Sequence, residues 1–309
     1  MEISNYDKFG YDYSTYWKDR EYENIAEHAV LDKVFKTVPS GNWFLDIGGS
    51  YGRLADTYSK RFKHPIILDY SLETLIHNKE ALQKQYSSII LIAANAYRLP
   101  FHDSVFDSIL MVRVLHHLNE PEIYFKEVGK ILKSNGFYIQ EFANKMHLKA
   151  KFRALSKGNL KFFSKKPYQQ PTIGNFEGTR DQSSIFLNYH PKYIRKLFKG
   201  SRLKIYKRYG CSYLRIPLLK KKFKITFLVK MESFLQNILS WSNISPSIFL
   251  IGKSTKKISK VKRFNSLYDI LVCPKCKNPL SFSKNRAHCV KCGKEYLKNN
   301  DIWDFRIDQ

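Results

Sequence analysis

Four of the five cysteines fall into two pairs, Cys273-Pro-Lys-Cys276 and Cys289-Val-Lys-Cys292, with 12 residues between the pairs. Two such knuckles supply four thiolates, the donor set of a tetrahedral structural zinc with no position left open for chemistry. Cys273, Cys276, Cys289 and Cys292 are therefore the candidate metal ligands. Gly293, directly after the second pair, suits a tight turn that brings backbone N–H groups toward sulfur. Lys275, Lys277, Lys291 and Lys294 would offset the negative charge of the thiolates. Paired C-x-x-C spacing fits metal binding in a reducing cytoplasm better than disulfides. Cys211 stands alone and reads as a small buried residue.

A second chemical signal lies near the N-terminus. Phe44-Leu45-Asp46-Ile47-Gly48-Gly49-Ser50-Tyr51-Gly52-Arg53 reads as a strand ending in an acid, a glycine turn, and the start of a helix. Glycines let the backbone approach a ligand closely, and a helix N-terminus presents free N–H groups. Twenty-three residues after Asp46, the strand Pro65-Ile66-Ile67-Leu68 ends at Asp69, where a carboxylate can accept both hydroxyls of a ribose. A dinucleotide site would want G-x-G-x-x-G, but Ser50 and Arg53 occupy its second and third glycine positions.

The pattern D-x-G-x-x-x-G instead resembles class I S-adenosylmethionine-dependent methyltransferases, and three further blocks follow in order. Ala94-Asn95-Ala96-Tyr97-Arg98-Leu99-Pro100-Phe101 looks like their adenine-side loop. Phe106–Leu110 with Val114-Leu115-His116-His117-Leu118 looks like their fourth strand and the loop after it, and Lys130–Gly136 like the turn before strand five. The resemblance is to the type 11 group, which includes quinone-biosynthesis methyltransferases, over about residues 40 to 142.

It implies that Asp46 and Gly48 face the methionine end of S-adenosylmethionine, Asp69 the ribose and Asn95 the adenine amino group. Gly49, Ser50, Gly52, Tyr70 and Ala96 complete the implied cofactor-binding set. Ser50 replaces the usual middle glycine, so the turn is expected to form without a positive φ there, and Asn95 replaces the commoner acid. A sulfonium is already a good leaving group, so the protein must mainly place an acceptor in line with the methyl. His116 and His117, after strand four, could supply a general base if the acceptor must lose a proton. The alternative is that both only close the loop. Tyr13, Trp17, Arg20 and Glu21 could fold over the cofactor or be ordinary packing.

The tail from Leu267 to Leu280, continuing to Tyr296 and Asp301-Ile302, resembles a small zinc-ribbon family. Its members include the zinc-binding activator that partners tRNA, rRNA and release-factor methyltransferases. The resemblance implies a scaffolding role and a partner protein engaged through the ribbon.

Around these sites the apolar runs Trp43–Ile47, Pro65–Leu68, Ile89–Ala94, Ser108–Val112 and Phe137–Ile139 alternate with helical stretches near Leu54–Lys60, Leu72–Tyr86 and Pro121–Leu132, with Asn119 as the N-cap of the last. An opening amphipathic helix precedes them. Alternating strands and helices mean an α/β doubly wound, mainly parallel sheet, of seven strands by resemblance. Residues 1–252 are expected to form the methyltransferase domain, with a basic, loop-rich insertion at 143–182. Residues 253–263 read as a linker and 264–309 as the zinc ribbon. The uncharged stretch Ser233–Gly252 has the length of a membrane span, but Pro246 and its many polar residues make it a helix, a break and a buried strand.

The N-terminus is polar and lacks the apolar core of an export signal. A hydrophobic content of 43% excludes wholesale disorder. The net charge of +26 favours a polyanionic partner. Between Phe142 and Met231 there are 23 Lys and Arg against two acids, Glu177 and Asp181. That surplus and the ribbon's relatives favour RNA as acceptor, with Phe152, Phe162, Phe163 and Tyr168 available for stacking. A lipid-linked or quinone-like acceptor at an anionic membrane surface is the alternative, drawn from the basic-apolar run Ile216–Val229. A non-enzymatic cofactor-binding platform is a third reading, against which the complete cofactor constellation argues.

Overall fold

The computed structural model describes Trp17 and residues 20–169, 186–257 and 264–307. Tyr13 and residues 258–263 of the expected linker lie outside the described residues. In chain order the elements are α1 (Glu21–Phe35), β1 (Gly41–Ile47), α2 (Ala55–Tyr58), β2 (Phe62–Asp69), α3 (Leu72–Gln85), β3 (Ile90–Ala93), β4 (Phe106–Met111), α4 (Pro121–Ile131) and β5 (Leu132–Ala143). They continue with α5 (Leu148–Ser156), β6 (Tyr168–Gln169), β7 (Leu187–Asn188), α6 (Pro191–Gly200), β8 (Leu203–Cys211), α7 (Pro217–Lys222), α8 (Ile225–Ile238) and β9 (Ser247–Ser254). The tail adds α9 (Leu267–Ile270), β10 (Leu280–Phe282), β11 (Arg286–Cys289), β12 (Glu295–Asn299) and β13 (Ile302–Asp304).

Seven strands form the doubly wound sheet in the order β3-β2-β1-β4-β5-β9-β8. The first five are mutually parallel, and β9 runs antiparallel between β5 and β8. Both faces are buried, so the central strands need apolar residues at every position rather than at alternate ones. Trp43, Leu45 and Ile47 of β1 point into one core with residues of α4 and α6, while Phe44 joins the other with α1, α3 and α8. The carboxyl ends of β1, β2 and β4 therefore open together at one edge, where ligands bind in such sheets.

The tail does not hang free. β13 pairs in parallel with β3 (Trp303 opposite Ile92, Asp304 opposite Ala93), so the ribbon strands extend the sheet to eleven. The Trp43 indole donates to the Phe264 carbonyl at 3.2 Å, and Lys277 Nζ donates to the Leu99 carbonyl at 2.7 Å and pairs with Glu127. Lys277 therefore docks the ribbon instead of serving mainly as a counter-charge for the thiolates.

Several expectations need correction. The N-cap residue of α4 is Glu120, because the Asn119 side chain is occupied by the Tyr97 hydroxyl at 3.0 Å. The 143–182 insertion is not only loop: it opens with the nine-residue α5, whose N-cap is the ring of His147 accepting from the Ala150 N–H, a capping residue outside the usual Ser, Thr, Asp and Asn. Phe162, Phe163 and Tyr168 pack on Ala150, Ala154 and each other as the insertion's own small core, leaving only Phe152 of the four rings exposed. Lys145 is buried, its ammonium donating to the carbonyls of Ser164 and Lys166 at 2.9 and 2.8 Å. The start of the expected linker is ordered structure: β9 runs to Ser254, and Lys256 Nζ donates to the carbonyls of Gly129, Lys130 and Leu132 at the end of α4. Among the described residues no helix is long and apolar enough to cross a membrane.

Candidate active site

The turn after β1 is shaped by backbone conformation. Gly48 has φ +73°, and a Cβ there would sit 2.2 Å from Cγ2 of Val114. Gly52 has φ +75°. Ser50 also takes a positive φ of 49°, which overturns the expectation that a serine would force a different turn. The left-handed region costs a non-glycine residue about 1–2 kcal/mol. Here the Ser50 N–H donates to Oδ2 of Asp69 at 2.9 Å, a charge-assisted bond that offsets the strain.

Asp69 closes the second strand as read from the sequence. Its other oxygen accepts the Ser71 N–H at 2.9 Å, and Ser71 caps α3 through the Thr74 N–H. One carboxylate thus ties the glycine turn to the start of the next helix. Asp46 is buried on the pocket wall and accepts the Tyr58 hydroxyl at 2.9 Å. Burial pushes its carboxyl up to about 7. Across the cleft, the buried Asn95 turns Oδ1 to the Tyr97 N–H at 2.9 Å, bracing the loop that carries Ala96. Asp46, Gly48, Gly49, Ser50, Asp69, Tyr70, Asn95 and Ala96 all line one pocket, while Gly52 lies behind the turn against Leu82.

The structure adds residues that motif reading passed over. Glu27 of α1 is fully buried and bridges two arginines: Arg53 at 2.6 Å and Arg113, whose Nε donates at 2.5 Å. Burial alone would raise the Glu27 carboxyl, but Arg113 and Arg53 together hold it below the ordinary range. Both guanidiniums lie over the Trp17 ring, at 3.8 and 4.9 Å from its centroid, and all three groups line the pocket. Arg113 has φ +58°, and its N–H donates to the buried Glu141. An acid on the apolar stripe of α1, one turn after Glu23, was the available signal. Arg20 is the N-cap residue of α1, and Glu21 is exposed in its first turn.

His117 lines the pocket, whereas His116 is buried behind it with its ring 4.1 Å from that of Phe186. Burial, with His117 and Arg113 nearby, holds the His116 imidazole well below its ordinary range, so it stays neutral. That makes His116 a weak base turned away from the cleft.

The four tail cysteines converge. All four sulfurs lie within 4.8 Å of one another, with Cys273 and Cys292 3.7 Å apart and Cys276 and Cys289 3.4 Å apart. Tetrahedral thiolates about 2.3 Å from a zinc stand about 3.8 Å from each other. Gly293 has φ +70°, and the Cys292 N–H reaches the Cys289 sulfur at 3.5 Å. The donor set fits a four-coordinate metal.

Residues 45–140 match the family model described as a methyltransferase domain. The chain is 28% identical over 240 residues to an uncharacterized protein of Methanocaldococcus jannaschii, covering 76% of this chain and 86% of that protein. It is 30% identical over 116 residues to the demethylmenaquinone methyltransferase of Renibacterium salmoninarum, covering 37% of this chain and 46% of that one. Among solved structures, an S-adenosylmethionine-dependent methyltransferase of Thermotoga maritima superposes with a TM-score of 0.53 at 15% identity, covering 81% of this chain and 98% of that one. A complex of the Haloferax volcanii Trm112 methyltransferase activator with a methyltransferase gives 0.52 at 14% identity, covering 83% and 99%.

The sheet order, the glycine turn and the two strand-end acids define the class I methyltransferase fold. Residues 45–140 carry the matched methyltransferase domain, and the chain has the class I methyltransferase fold with a four-cysteine cluster in its tail.

Proposed function

We propose that the pocket binds S-adenosylmethionine with Asp69 on the ribose hydroxyls, Asp46 and the Gly48 turn at the methionine end, and Asn95 with Ala96 at the adenine. The cofactor supplies an activated methyl on a sulfonium, and the chain's residues orient it. Trp17, held by Arg53 and Arg113 on Glu27, closes the cleft from above and excludes water. His117 stands at the opening where an acceptor arrives and is the base if one is needed. Cys273, Cys276, Cys289 and Cys292 hold one structural zinc, and the ribbon, residues 264–309, braces the domain formed by residues 1–252.

The observation that carries this reading is Asp69, whose two oxygens order the turn and the next helix at the mouth of the pocket. Calorimetric titration of wild type and Asp69→Ala with S-adenosylmethionine tests it. Losing charged hydrogen bonds of about 1.5–3 kcal/mol weakens affinity roughly 10- to 150-fold. An unchanged dissociation constant contradicts the assignment, and equal wild-type affinity for NAD contradicts the cofactor.

The lysine surplus supports RNA as the acceptor, and the ribbon offers a place for a partner protein. A lipid-linked or quinone-like acceptor is supported by one specific observation: the apolar residues of α5 and α8 that face outward are set among basic ones.

A further inference from the structure

Helix α8 has two apolar sides and only one of them is used. Leu228, Glu232 and Gln236 face α1, where Glu232 accepts the Tyr22 hydroxyl at 2.5 Å. The opposite side carries Phe227, Met231, Phe234 and Ile238, spaced four, three and four residues apart, with Phe223 just before the helix and Trp241 in the turn just after it. That spacing is one continuous stripe on a helix. All six are exposed, Phe227 by 50%, Phe234 by 57% and Trp241 by 77%. Scattered single apolar residues on a surface need no explanation, but an apolar stripe along a helix does.

Helix α5 repeats the arrangement. Ala150 and Ala154 face the small core under it, while Leu148, Phe152 and Leu155 point outward, Phe152 by 65%. The two helices lie at one end of the molecule. The Leu148 N–H donates to the Ile244 carbonyl, and Asn144 donates to the carbonyls of Asn243 and Ser245, tying the start of α5 to the turn that follows α8. This turn feeds β9 where Ser247 pairs with Ala143 at the carboxyl end of β5. That is the end of the sheet at which the cofactor pocket opens.

The charge around the stripes has one sign. Helices α5, α7 and α8 carry Lys149, Lys151, Arg153, Lys220, Lys221, Lys222 and Lys230, and their one acid, Glu232, is buried. Apolar and aromatic residues on one helix side with lysines beside them are the composition of a helix lying in a membrane interface, with tryptophan at the headgroup level. Basic residues add attraction to anionic headgroups. RNA would use the lysines but leave the aliphatic and aromatic stripe in water.

We propose that the outward sides of α5 and α8 form a docking surface for an anionic lipid bilayer, presenting the pocket mouth to an acceptor held in or on the membrane. This deepens the methyltransferase reading and rests on it only for the acceptor, not for the binding itself.

The test is co-sedimentation of the full chain with vesicles of phosphatidylcholine alone and of phosphatidylcholine mixed with phosphatidylglycerol. The chain should pellet with the anionic vesicles, shift Trp241 emission to the blue, and partly release as salt rises. The triple variant Phe227→Ser, Phe234→Ser, Trp241→Ser should lose about tenfold or more of this partitioning, while Leu297→Ser, an exposed apolar residue of the ribbon, should not. Calorimetric affinity for S-adenosylmethionine, measured on every variant, confirms that each is folded and separates failure of the membrane surface from failure of the cofactor assignment. Absence of vesicle binding, binding of RNA without vesicles, or loss of self-association as the only change in the triple variant would each overturn the proposal.

Discussion

Asp46 offers the sharpest perturbation because its burial sets a pH at which it should act. Removing a carboxyl from water moves it from its ordinary 3.8 to about 7, which costs the ionised form about 4 kcal/mol. The Tyr58 hydroxyl at 2.9 Å recovers part of the lost hydration, and the α-ammonium of a bound cofactor would recover more. Below pH 7 the carboxyl must first release a proton before it can hold that cation, so affinity should fall about tenfold for each pH step downward. Above about 8 the free α-amino group loses its own proton. Affinity measured by calorimetry across pH should therefore peak between about 7 and 8. Asp46→Asn keeps the Tyr58 bond but removes the charge, so it should bind about 10- to 150-fold more weakly at the optimum and lack the acid limb. The same group acts on stability. Its folded pKa lies above its unfolded one, so between about pH 4 and 7 the folded chain holds the extra proton. Stability should then decline as pH rises through that window and level off above it. Glu141 and Glu232, also raised by burial, are common to both proteins, so the difference between them isolates Asp46. Parallel affinity profiles for wild type and Asp46→Asn would refute the reasoning.

Gly48→Ala places a Cβ 2.2 Å from Val114 at a φ of +73°, so calorimetry should show cofactor affinity reduced about tenfold or more, with partial recovery on adding Val114→Ala. Metal analysis should find about one zinc per chain. Chelation should speed hydrogen exchange at the Phe305 N–H, which bonds the Ala93 carbonyl at 2.7 Å, because metal binding supplies the ribbon's folding energy; an unchanged rate would show that the ribbon stays docked without metal.

The chemistry-bearing turns were legible because they depend on local patterns. Asp46, Gly48 and Asp69 stand at strand ends whose apolar runs are visible in the chain, and the cysteines announce themselves by spacing. Ser50 was misread because the bond that stabilises its left-handed conformation comes from Asp69, far along the sequence. Helix α5 was missed since its cap is a histidine ring. The Glu27, Arg53 and Arg113 cluster joins three segments, and no local pattern says that one buried acid will serve two arginines. The ribbon's attachment was equally invisible: pairing of β13 with β3 involves backbone groups, and backbone groups leave no signature in side-chain types. Its consequence reaches the pocket, because Arg306 past β13 donates to the Tyr70 carbonyl at 3.3 Å and pairs with Asp304 at 2.7 Å.

Methyl transfer itself is tested most directly by labelling. Cell extract incubated with S-adenosylmethionine carrying a radioactive methyl, with wild type or with Asp69→Ala, is separated into RNA, protein and lipid fractions. Wild type should label one fraction and Asp69→Ala should label it far less at the same cofactor concentration. Equal labelling by both, or none by wild type with its cofactor site saturated, would contradict a pocket built to deliver a methyl group.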